Sequence, residues 1–244
     1  MSSSHRTKRD ARRAARARRR LYSRVITIGV IIIAVLAIIW FVMISKNSQA
    51  NVGKSTAQSS EIISTPGGPT PELVGTKQYA FAPPTVIDVT KKYFATVKMA
   101  KGGEFTIQLF PDMAPITVNS FVFLARNGFF NGVTFHRVIE GFMAQGGDPT
   151  GTGMGGPGYS FVNETNNLAF DKAGVVAMAN AGRDTNGSQF FITFGPVSLT
   201  ENDYTIFGQV ISGMDVVDGI TRRDPAQNPT FSGDAIESVT ITEQ

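Results

Sequence analysis

The longest apolar stretch of the chain lies near its N-terminus, in residues 25–44. These residues carry no charge, and only Thr27 and Gly29 interrupt the apolar run. Twenty helical residues rise about 30 Å, which matches the hydrocarbon core of a bilayer. Trp40 lies near the far end of the run, where an amphipathic ring suits the membrane interface. The pattern therefore predicts one transmembrane helix over residues 25–44.

From about residue 85 the hydrophobic pattern changes to short apolar segments separated by polar residues and glycines, which is typical of short β-strands. Residues 93–99 and 104–110 alternate around the turn Lys101-Gly102-Gly103 and predict a β-hairpin. Further strands are predicted over residues 134–138, 142–145, 174–180, 189–193, 205–210 and 236–242.

Two helices are predicted among these strands. The first covers residues 115–126, because Pro115 suits a first helical turn and Asn127-Gly128 ends the pattern. It is apolar over most of its surface, so we expect it to be buried against a sheet. A shorter helix is predicted over residues 214–220. Many short strands with glycine-rich connections and only two helices indicate an all-β sandwich or barrel.

The segment between the apolar run and the strands has the composition of a linker. Residues 45–84 are rich in Ser, Thr, Pro, Gly, Asn and Gln, and the first part cannot bury enough apolar surface to offset its ordering entropy. We interpret residues 45–78 as a flexible tether, with Tyr79 and Phe81 beginning to contact the domain. The predicted organisation is a basic tail (1–24), a transmembrane helix (25–44), a linker (45–84) and one domain (85–244).

The positive charge of the chain is concentrated in its first 24 residues. They hold ten Lys and Arg against one Asp, whereas the other residues hold 13 basic and 18 acidic side chains. A basic, nucleic-acid-binding domain is therefore not expected. The tail itself has nucleic acid as an alternative partner, but the adjoining apolar run favours a cytoplasmic flank. Only Lys46 follows the run closely, so the positive-inside rule places the N-terminus in the cytoplasm and the domain outside it.

A cleaved signal peptide is the alternative to an uncleaved membrane anchor. Ser48-Gln49-Ala50 resembles a cleavage site with small residues. The apolar run of residues 25–44 is longer than the roughly 7–15 apolar residues of a signal peptide. Its length favours the anchor, and hence a single-pass protein of the cell membrane.

The cysteine and histidine content excludes several kinds of chemistry. The chain has no cysteine, which excludes disulfides, thiolate zinc sites and cysteine nucleophiles. Its two histidines are His5, in the basic tail, and His136. A multi-histidine metal site is thereby excluded, and we expect neither a metal nor a cofactor.

Other catalytic motifs are weak. Residues 151–156 match the pattern G-x-G-x-x-G, but Pro157 follows and no helix begins there, so a dinucleotide site is disfavoured. Ser188 has no second histidine in the domain to activate it. The carboxylates that we assign to loops, rather than to a catalytic pair, are Glu164, Asp171 and Asp184.

Arg137 stands in an unusual setting for a strand residue, between aromatic and thioether side chains. A buried arginine is often a structural ion-pair partner, and this interpretation stays open beside a catalytic one. Apolar residues that suit the floor of a pocket are Phe142, Met143 and Phe191. Amides that suit hydrogen bonding to a peptide backbone are Gln145, Asn180 and Gln189. A cation with amides and aromatics, and no nucleophile, suits a reaction that breaks no bond, such as rotation about an X-Pro bond.

Three blocks of sequence, residues 135–148, 178–182 and 186–192, resemble the cyclophilin family of peptidyl-prolyl cis/trans isomerases. The resemblance covers the chain from about residue 90 to its end, and the compact loop 148–159 is similar to the bacterial branch. It implies a closed eight-stranded antiparallel barrel capped by two α-helices. It also implies isomerisation of X-Pro bonds in unfolded or exported chains, without a cofactor, by what we expect to be a monomeric domain.

The resemblance also implies roles for individual residues. Arg137 matches the catalytic arginine of the family. The residues that match the proline pocket are Phe142, Met143 and Phe191. Those that match positions lining the peptide groove are Gln145, Ala179, Asn180 and Gln189.

One departure concerns the wall of the proline pocket, where many members of the family carry tryptophan. Trp40 is the only tryptophan of the chain. Leu199 takes the tryptophan position if there is no gap, or the next pocket position if one residue is inserted. Tyr204 falls where eukaryotic members often have histidine. Cyclosporin binding is a family trait that depends on this tryptophan, so it stays open for this chain. A second alternative also stays open: a non-catalytic peptide-binding or chaperone module that uses the same groove.

Overall fold

The structure is a computed structural model in which residues 73–75, 77–199 and 203–244 are described. The predicted basic tail, the predicted transmembrane helix over residues 25–44 and the linker up to residue 72 lie outside the described residues. Within the described ranges, no helix is both long and apolar enough to cross a bilayer.

The described chain forms short strands, two α-helices and one 3-10 helix. In order they are β1 (Leu73–Gly75), β2 (Gln78–Tyr79), β3 (Tyr93–Met99), β4 (Glu104–Leu109), α1 (Pro115–Arg126), β5 (Arg137–Ile139), β6 (Met143–Gly146), β7 (Val175–Met178), β8 (Phe190–Thr193), β9 (Ile206–Ser212), α2 (Met214–Asp218), the 3-10 helix (Pro225–Gln227) and β10 (Ile236–Glu243). β1 and β2 form a small sheet of their own, and the other eight strands form one sheet in the order β10-β3-β4-β9-β7-β8-β6-β5.

All neighbouring strands of the large sheet are antiparallel. The predicted all-β fold with eight antiparallel strands and two helices is therefore confirmed. The hairpin β3–β4 and helix α1 lie where the hydrophobic pattern predicts them.

The predicted closure of the sheet into a barrel is wrong, because the edge strands β5 and β10 form no ladder with each other in the described chain. The segments leading into them meet at an isolated bridge between Thr134 and Ala235, and the Phe135 N–H donates to the Asp234 carbonyl at 2.9 Å. The free edge of β5 is instead taken by an isolated bridge between Val138 and Arg223, so β10 does not pair there. The sheet is a curled half-barrel.

Helix α1 is buried over nine of its twelve residues, from Thr117 to Ala125. Its N-terminus is capped from 47 residues away by Glu164. The carboxylate of Glu164 accepts hydrogen bonds from the N–H groups of Ile116 and Thr117, both at 2.8 Å, and from the Thr117 hydroxyl at 2.7 Å. A carboxylate here satisfies N–H groups that the helix leaves unpaired and interacts favourably with its dipole. Glu164, which the sequence assigned to a loop, thus fixes the start of α1.

Strands β6, β7 and β8 are buried on both faces of the sheet. Side chains alternate between the faces along a strand, so neighbouring residues enter different clusters. Phe190 joins the main core, where its ring meets Phe121 and Phe130 edge to face. Phe191 points to the opposite face and joins a second cluster with Met143. We call this opposite side of β6–β8 the outer face.

Candidate functional site

The register of the sheet places the predicted site residues in one row across the outer face. Arg137 on β5 pairs with Gln145 on β6, Gln145 pairs with Phe191 on β8, and Phe191 pairs with Ala177 on β7. Directly paired residues project their side chains to the same face. Residues from blocks that are far apart in the sequence therefore stand side by side.

A cavity of about 150 Å³ opens on this row, and we call it the apolar pocket. Nine of the ten predicted site residues line it: Arg137, Phe142, Met143, Gln145, Ala179, Asn180, Phe191, Leu199 and Tyr204. The exception is Gln189, which lines a neighbouring cavity. The structure thus brings together residues that lie far apart in the sequence.

The floor of the apolar pocket is held in place by packed aromatic rings. Phe191 is only 4% exposed. Its ring is stacked on Phe170, with centroids 5.8 Å apart, and meets Tyr204 edge to face at 5.6 Å. Leu199 packs against the same cluster, so it forms part of the wall. Such contacts leave little freedom for the floor to rearrange when a ligand enters.

Arg137 is the one charged residue among the described residues that line the apolar pocket. Its Nη1 lies 3.4 Å from Oε1 of Gln145 and 4.0 Å from Sδ of Met143. Its Cζ lies 5.8 Å from the centroid of the Phe142 ring, within cation–π range. In the described part of the chain no carboxylate forms an ion pair with Arg137. The structural ion-pair interpretation therefore has no partner there.

The amides of Gln145 and Gln189 form a hydrogen-bonded link behind Arg137. Nε2 of Gln145 donates to Oε1 of Gln189 at 2.9 Å. Nε2 of Gln189 donates in turn to the carbonyls of Gly153 and Gly155, at 3.0 and 2.9 Å. Because both ends of the Gln189 amide are engaged, this side chain positions its neighbours.

A second cavity, of about 500 Å³, adjoins the apolar pocket, and we call it the polar cavity. The two share Gln145, Ala179 and Asn180 as lining residues. The glycine loop, residues 153–158, forms one side of the polar cavity, and Gln78 of β2 also lines it. Sequence reasoning missed these residues as site elements. The glycine loop carried a recognisable motif, whereas nothing in the local pattern distinguished Gln78 from the rest of the linker.

His136 directly precedes Arg137 in the sequence, and its side chain is buried, with 2% of the residue exposed. Burial lowers the pKa of His136 below its ordinary value, and the charge of Asp148 only partly opposes this effect. The imidazole is therefore neutral at neutral pH, and it lines neither cavity. His136 is best described as a packed scaffold residue.

Asp148 lies shortly before the glycine loop and organises the segment that leads into it. Its carboxylate accepts hydrogen bonds from the Thr150 N–H at 2.7 Å and the Thr150 hydroxyl at 2.8 Å, and from the Gly153 N–H. Burial alone raises the pKa of Asp148, but the hydrogen bonds from Thr150, Gly155 and Gly153 together outweigh burial and hold the pKa below its usual value. Asp148 thus stays ionised and keeps the loop folded.

The Ser188 hydroxyl donates to the Gly147 carbonyl at 2.7 Å and is buried, so it serves the backbone. Across residues 73–75, 77–199 and 203–244, no three His, Cys, Asp or Glu side chains are grouped closely enough to hold a metal ion.

Fold and site together define an all-β domain that presents one arginine over an apolar pocket, beside a larger polar cavity. The chain belongs to the cyclophilin-type peptidyl-prolyl cis-trans isomerase family, because the model of that family, described as "Cyclophilin type peptidyl-prolyl cis-trans isomerase/CLD", matches residues 94–242.

Known proteins resemble the chain in both sequence and structure. A peptidyl-prolyl cis-trans isomerase of Helicobacter pylori is 45% identical over 148 residues, which is 59% of this chain and 90% of that protein. Peptidyl-prolyl cis-trans isomerase A of Mycobacterium tuberculosis is 48% identical over 160 residues, 57% of this chain and 87% of that protein. A cyclophilin of Cryptosporidium parvum, solved in the presence of the dipeptide Ala-Pro, matches with a TM-score of 0.56 and 32% identity, covering 62% of this chain and 99% of that one.

Proposed function

We propose that this chain is a peptidyl-prolyl cis-trans isomerase that accelerates rotation about X-Pro bonds, with Arg137 as its catalytic residue. The main observation that supports this proposal is the position of Arg137. It lies at the wall of an apolar pocket and has no ion-pair partner in the described chain. Family membership supports the activity. The substrate we propose is a proline-containing segment of an unfolded or exported protein, which the Ala-Pro dipeptide in the related structure supports.

The reaction needs no proton transfer and no nucleophile. Rotation about the X-Pro bond is slow, taking roughly 10–100 s, because amide resonance raises a barrier of about 20 kcal/mol. Turnover on the millisecond scale needs an acceleration of about 10⁴–10⁵-fold, or roughly 6–7 kcal/mol. Groups that bind the twisted amide more tightly than the planar one supply this difference.

Two features of the site favour the twisted amide. Phe142, Met143 and Phe191 line the apolar pocket, where their side chains would surround the proline ring and disfavour the polar, planar resonance form. The guanidinium of Arg137 carries five N–H donors in a fixed fork. We propose that one of them donates to the prolyl nitrogen, whose lone pair becomes available only when the amide twists.

An isomerisation assay on the full-length chain tests this function. With a proline-containing peptide, the wild type should accelerate cis–trans exchange, and Arg137→Ala should lower kcat/KM by about 10²–10³-fold, as loss of one transition-state donor does elsewhere. Arg126→Ala, which removes an arginine outside both cavities, is the control and should leave the rate near that of wild type.

The alternative, a non-catalytic peptide-binding or chaperone module, predicts a different result in the same experiment. Peptide would then bind with measurable affinity while exchange stayed at the uncatalysed rate. An Arg137→Ala rate equal to that of wild type would remove the arginine from the mechanism.

We also propose that the domain acts outside a bacterial cytoplasmic membrane, tethered by residues 25–44. The basic residues of positions 1–24 and the uncharged run that follows support this topology. Protease added to intact protoplasts should digest the domain, and protection of the domain would reverse the orientation. A mature protein that begins at Asn51 by mass spectrometry would replace the anchor with a cleaved signal peptide.

A further inference from the structure

Strand β2 lies outside residues 94–242, which match the family model, yet it is built into the functional side of the domain. Tyr79 is 8% exposed, and its ring meets the Phe123 ring of α1 edge to face, with centroids 5.1 Å apart. The Tyr79 N–H donates to the carbonyl of Pro157, in the glycine loop, at 2.7 Å. One aromatic anchor and one backbone hydrogen bond thus fasten β2 beside the polar cavity.

The contact between β2 and the glycine loop requires a glycine at position 158. Gly158 has a φ of 93°, a conformation that L side chains rarely adopt. A Cβ at this position would lie 2.4 Å from the Tyr79 carbonyl oxygen and 2.9 Å from the Tyr79 nitrogen. No side chain fits there, so the loop and β2 are shaped for close approach.

This anchoring places Gln78 at the wall of the polar cavity. The side chain of Gln78 is exposed, whereas that of Tyr79, the next residue of the strand, is buried, as expected when side chains alternate across a strand. All of the described residues that line the polar cavity are uncharged. They include the amides of Gln145 and Asn180 and the hydroxyl of Thr185.

The two cavities are adjacent, because Gln145, Ala179 and Asn180 line both. A peptide whose proline occupies the apolar pocket therefore places a neighbouring residue in the polar cavity. A cavity of about 500 Å³ accommodates a large side chain. A charged side chain would lose water there without meeting an opposite charge, which is unfavourable.

We propose that Gln78 is a specificity-determining residue: it completes a neutral wall, so that the polar cavity disfavours charged side chains next to the substrate proline. The inference rests on the proposed isomerase function and deepens it. Its content is particular to this chain, since the wall comes from a segment before the domain that the family model covers. Substituting Gln78 changes the wall without touching Arg137, the apolar pocket or the Tyr79 anchor.

The test changes the charge of the wall in the full-length chain, with Gln78→Lys and Gln78→Glu. Proline peptides carry Gln, Glu or Lys in turn at each position flanking the proline. Wild type should prefer the Gln peptides at the position that enters the polar cavity. At that position, Gln78→Lys should raise kcat/KM for the Glu peptide relative to the Lys peptide by about two- to five-fold, the range of partly exposed ion pairs. Gln78→Glu should shift this ratio in the opposite direction. Added salt should weaken both shifts.

The matched controls are Thr240→Lys and Thr240→Glu, which place the same charges on an exposed residue of β10 that lines neither cavity. They should leave the selectivity unchanged. If the Gln78 variants alter the rates for all peptides equally, or alter none, Gln78 does not contact the substrate and the inference is overturned.

The same peptides separate this inference from the proposed function. A wild type that gives no acceleration overturns the isomerase proposal, and peptide affinities measured by fluorescence anisotropy then replace kcat/KM. In that case, a charge preference that reverses between Gln78→Lys and Gln78→Glu still supports the role of Gln78 in selectivity. An unchanged preference overturns that role.

Discussion

Arg137 and Gln145 are register partners on β5 and β6, and Nη1 of Arg137 lies 3.4 Å from Oε1 of Gln145. An amide oxygen orients the guanidinium without neutralising its charge. Gln145 is held in turn by Gln189, whose amide is bound to the glycine loop. The orientation of the Arg137 guanidinium over the apolar pocket is thus set by the neutral amides of Gln145 and Gln189. Its positive charge therefore stays available to a substrate.

Replacing the neutral acceptor with a charged one should therefore damage catalysis. In Gln145→Glu the carboxylate forms a stronger, charge-assisted hydrogen bond to Arg137 and draws it away from the prolyl nitrogen. We expect kcat/KM for a proline peptide to fall by about 10- to 100-fold, as small displacements of a catalytic group do. Gln108→Glu, at a half-buried position of β4 outside both cavities, is the control. A Gln145→Glu enzyme with normal kcat/KM would contradict this role.

Phe190 and Phe191 are adjacent but serve opposite faces of the sheet, so they make a matched pair. Phe190→Leu and Phe191→Leu should each lower the free energy of unfolding by about 1–3 kcal/mol, measured by urea denaturation. Only Phe191→Leu should also lower kcat/KM, by about 10-fold or more, because it reshapes the apolar pocket. Equal losses of activity in both variants would show that stability alone controls the rate.

The cap of α1 by Glu164 predicts a stability effect far from either cavity. Glu164→Ala leaves the N–H groups of Ile116 and Thr117 without their partner. We expect the free energy of unfolding to fall by about 1–2 kcal/mol, with kcat/KM nearly unchanged. The comparison is Glu237→Ala, which removes an exposed ion pair with Lys98 and should cost less. A loss no larger than that of Glu237→Ala would contradict the cap.

His136 predicts a pH dependence of stability with a definite sign. Its pKa is lower in the folded protein than the ordinary value of 6.5, with burial as the main cause. The unfolded chain therefore binds more protons below about pH 6.5, and the free energy of unfolding falls as the pH is lowered. Stability is fully present above that pH. Urea titrations between pH 7.5 and about 5 should show this loss, before the carboxylates with lowered pKa values titrate.

The variant His136→Phe keeps a ring but cannot titrate, so the dependence over this pH range should largely disappear. His5→Gln removes the only other histidine of the chain and should retain the dependence. If His5→Gln abolished the slope and His136→Phe preserved it, the assignment to His136 would be wrong.

Local hydrophobic periodicity was enough to predict the β3–β4 hairpin and helix α1, since alternation along a strand and a nearly continuous apolar helix are properties of neighbouring residues. The blocks around Arg137, Asn180 and Gln189 likewise pointed to an apolar pocket with amides. Periodicity gave no information about the edge of the sheet. The free edge of β5 is bridged by Arg223 through Val138, and β10 forms no ladder with β5, so the predicted closed barrel is a half-barrel.

The amino-acid sequence by itself thus determined the strand-rich domain, the buried helix and most of the residues that line the apolar pocket. Only the tertiary structure decided that Gln189 supports Gln145, that Glu164 caps α1 and that Gln78 lines the polar cavity. Each of these relationships joins residues that are distant in sequence. They depend on strand register and loop packing, which short-range patterns of polar and apolar residues do not encode.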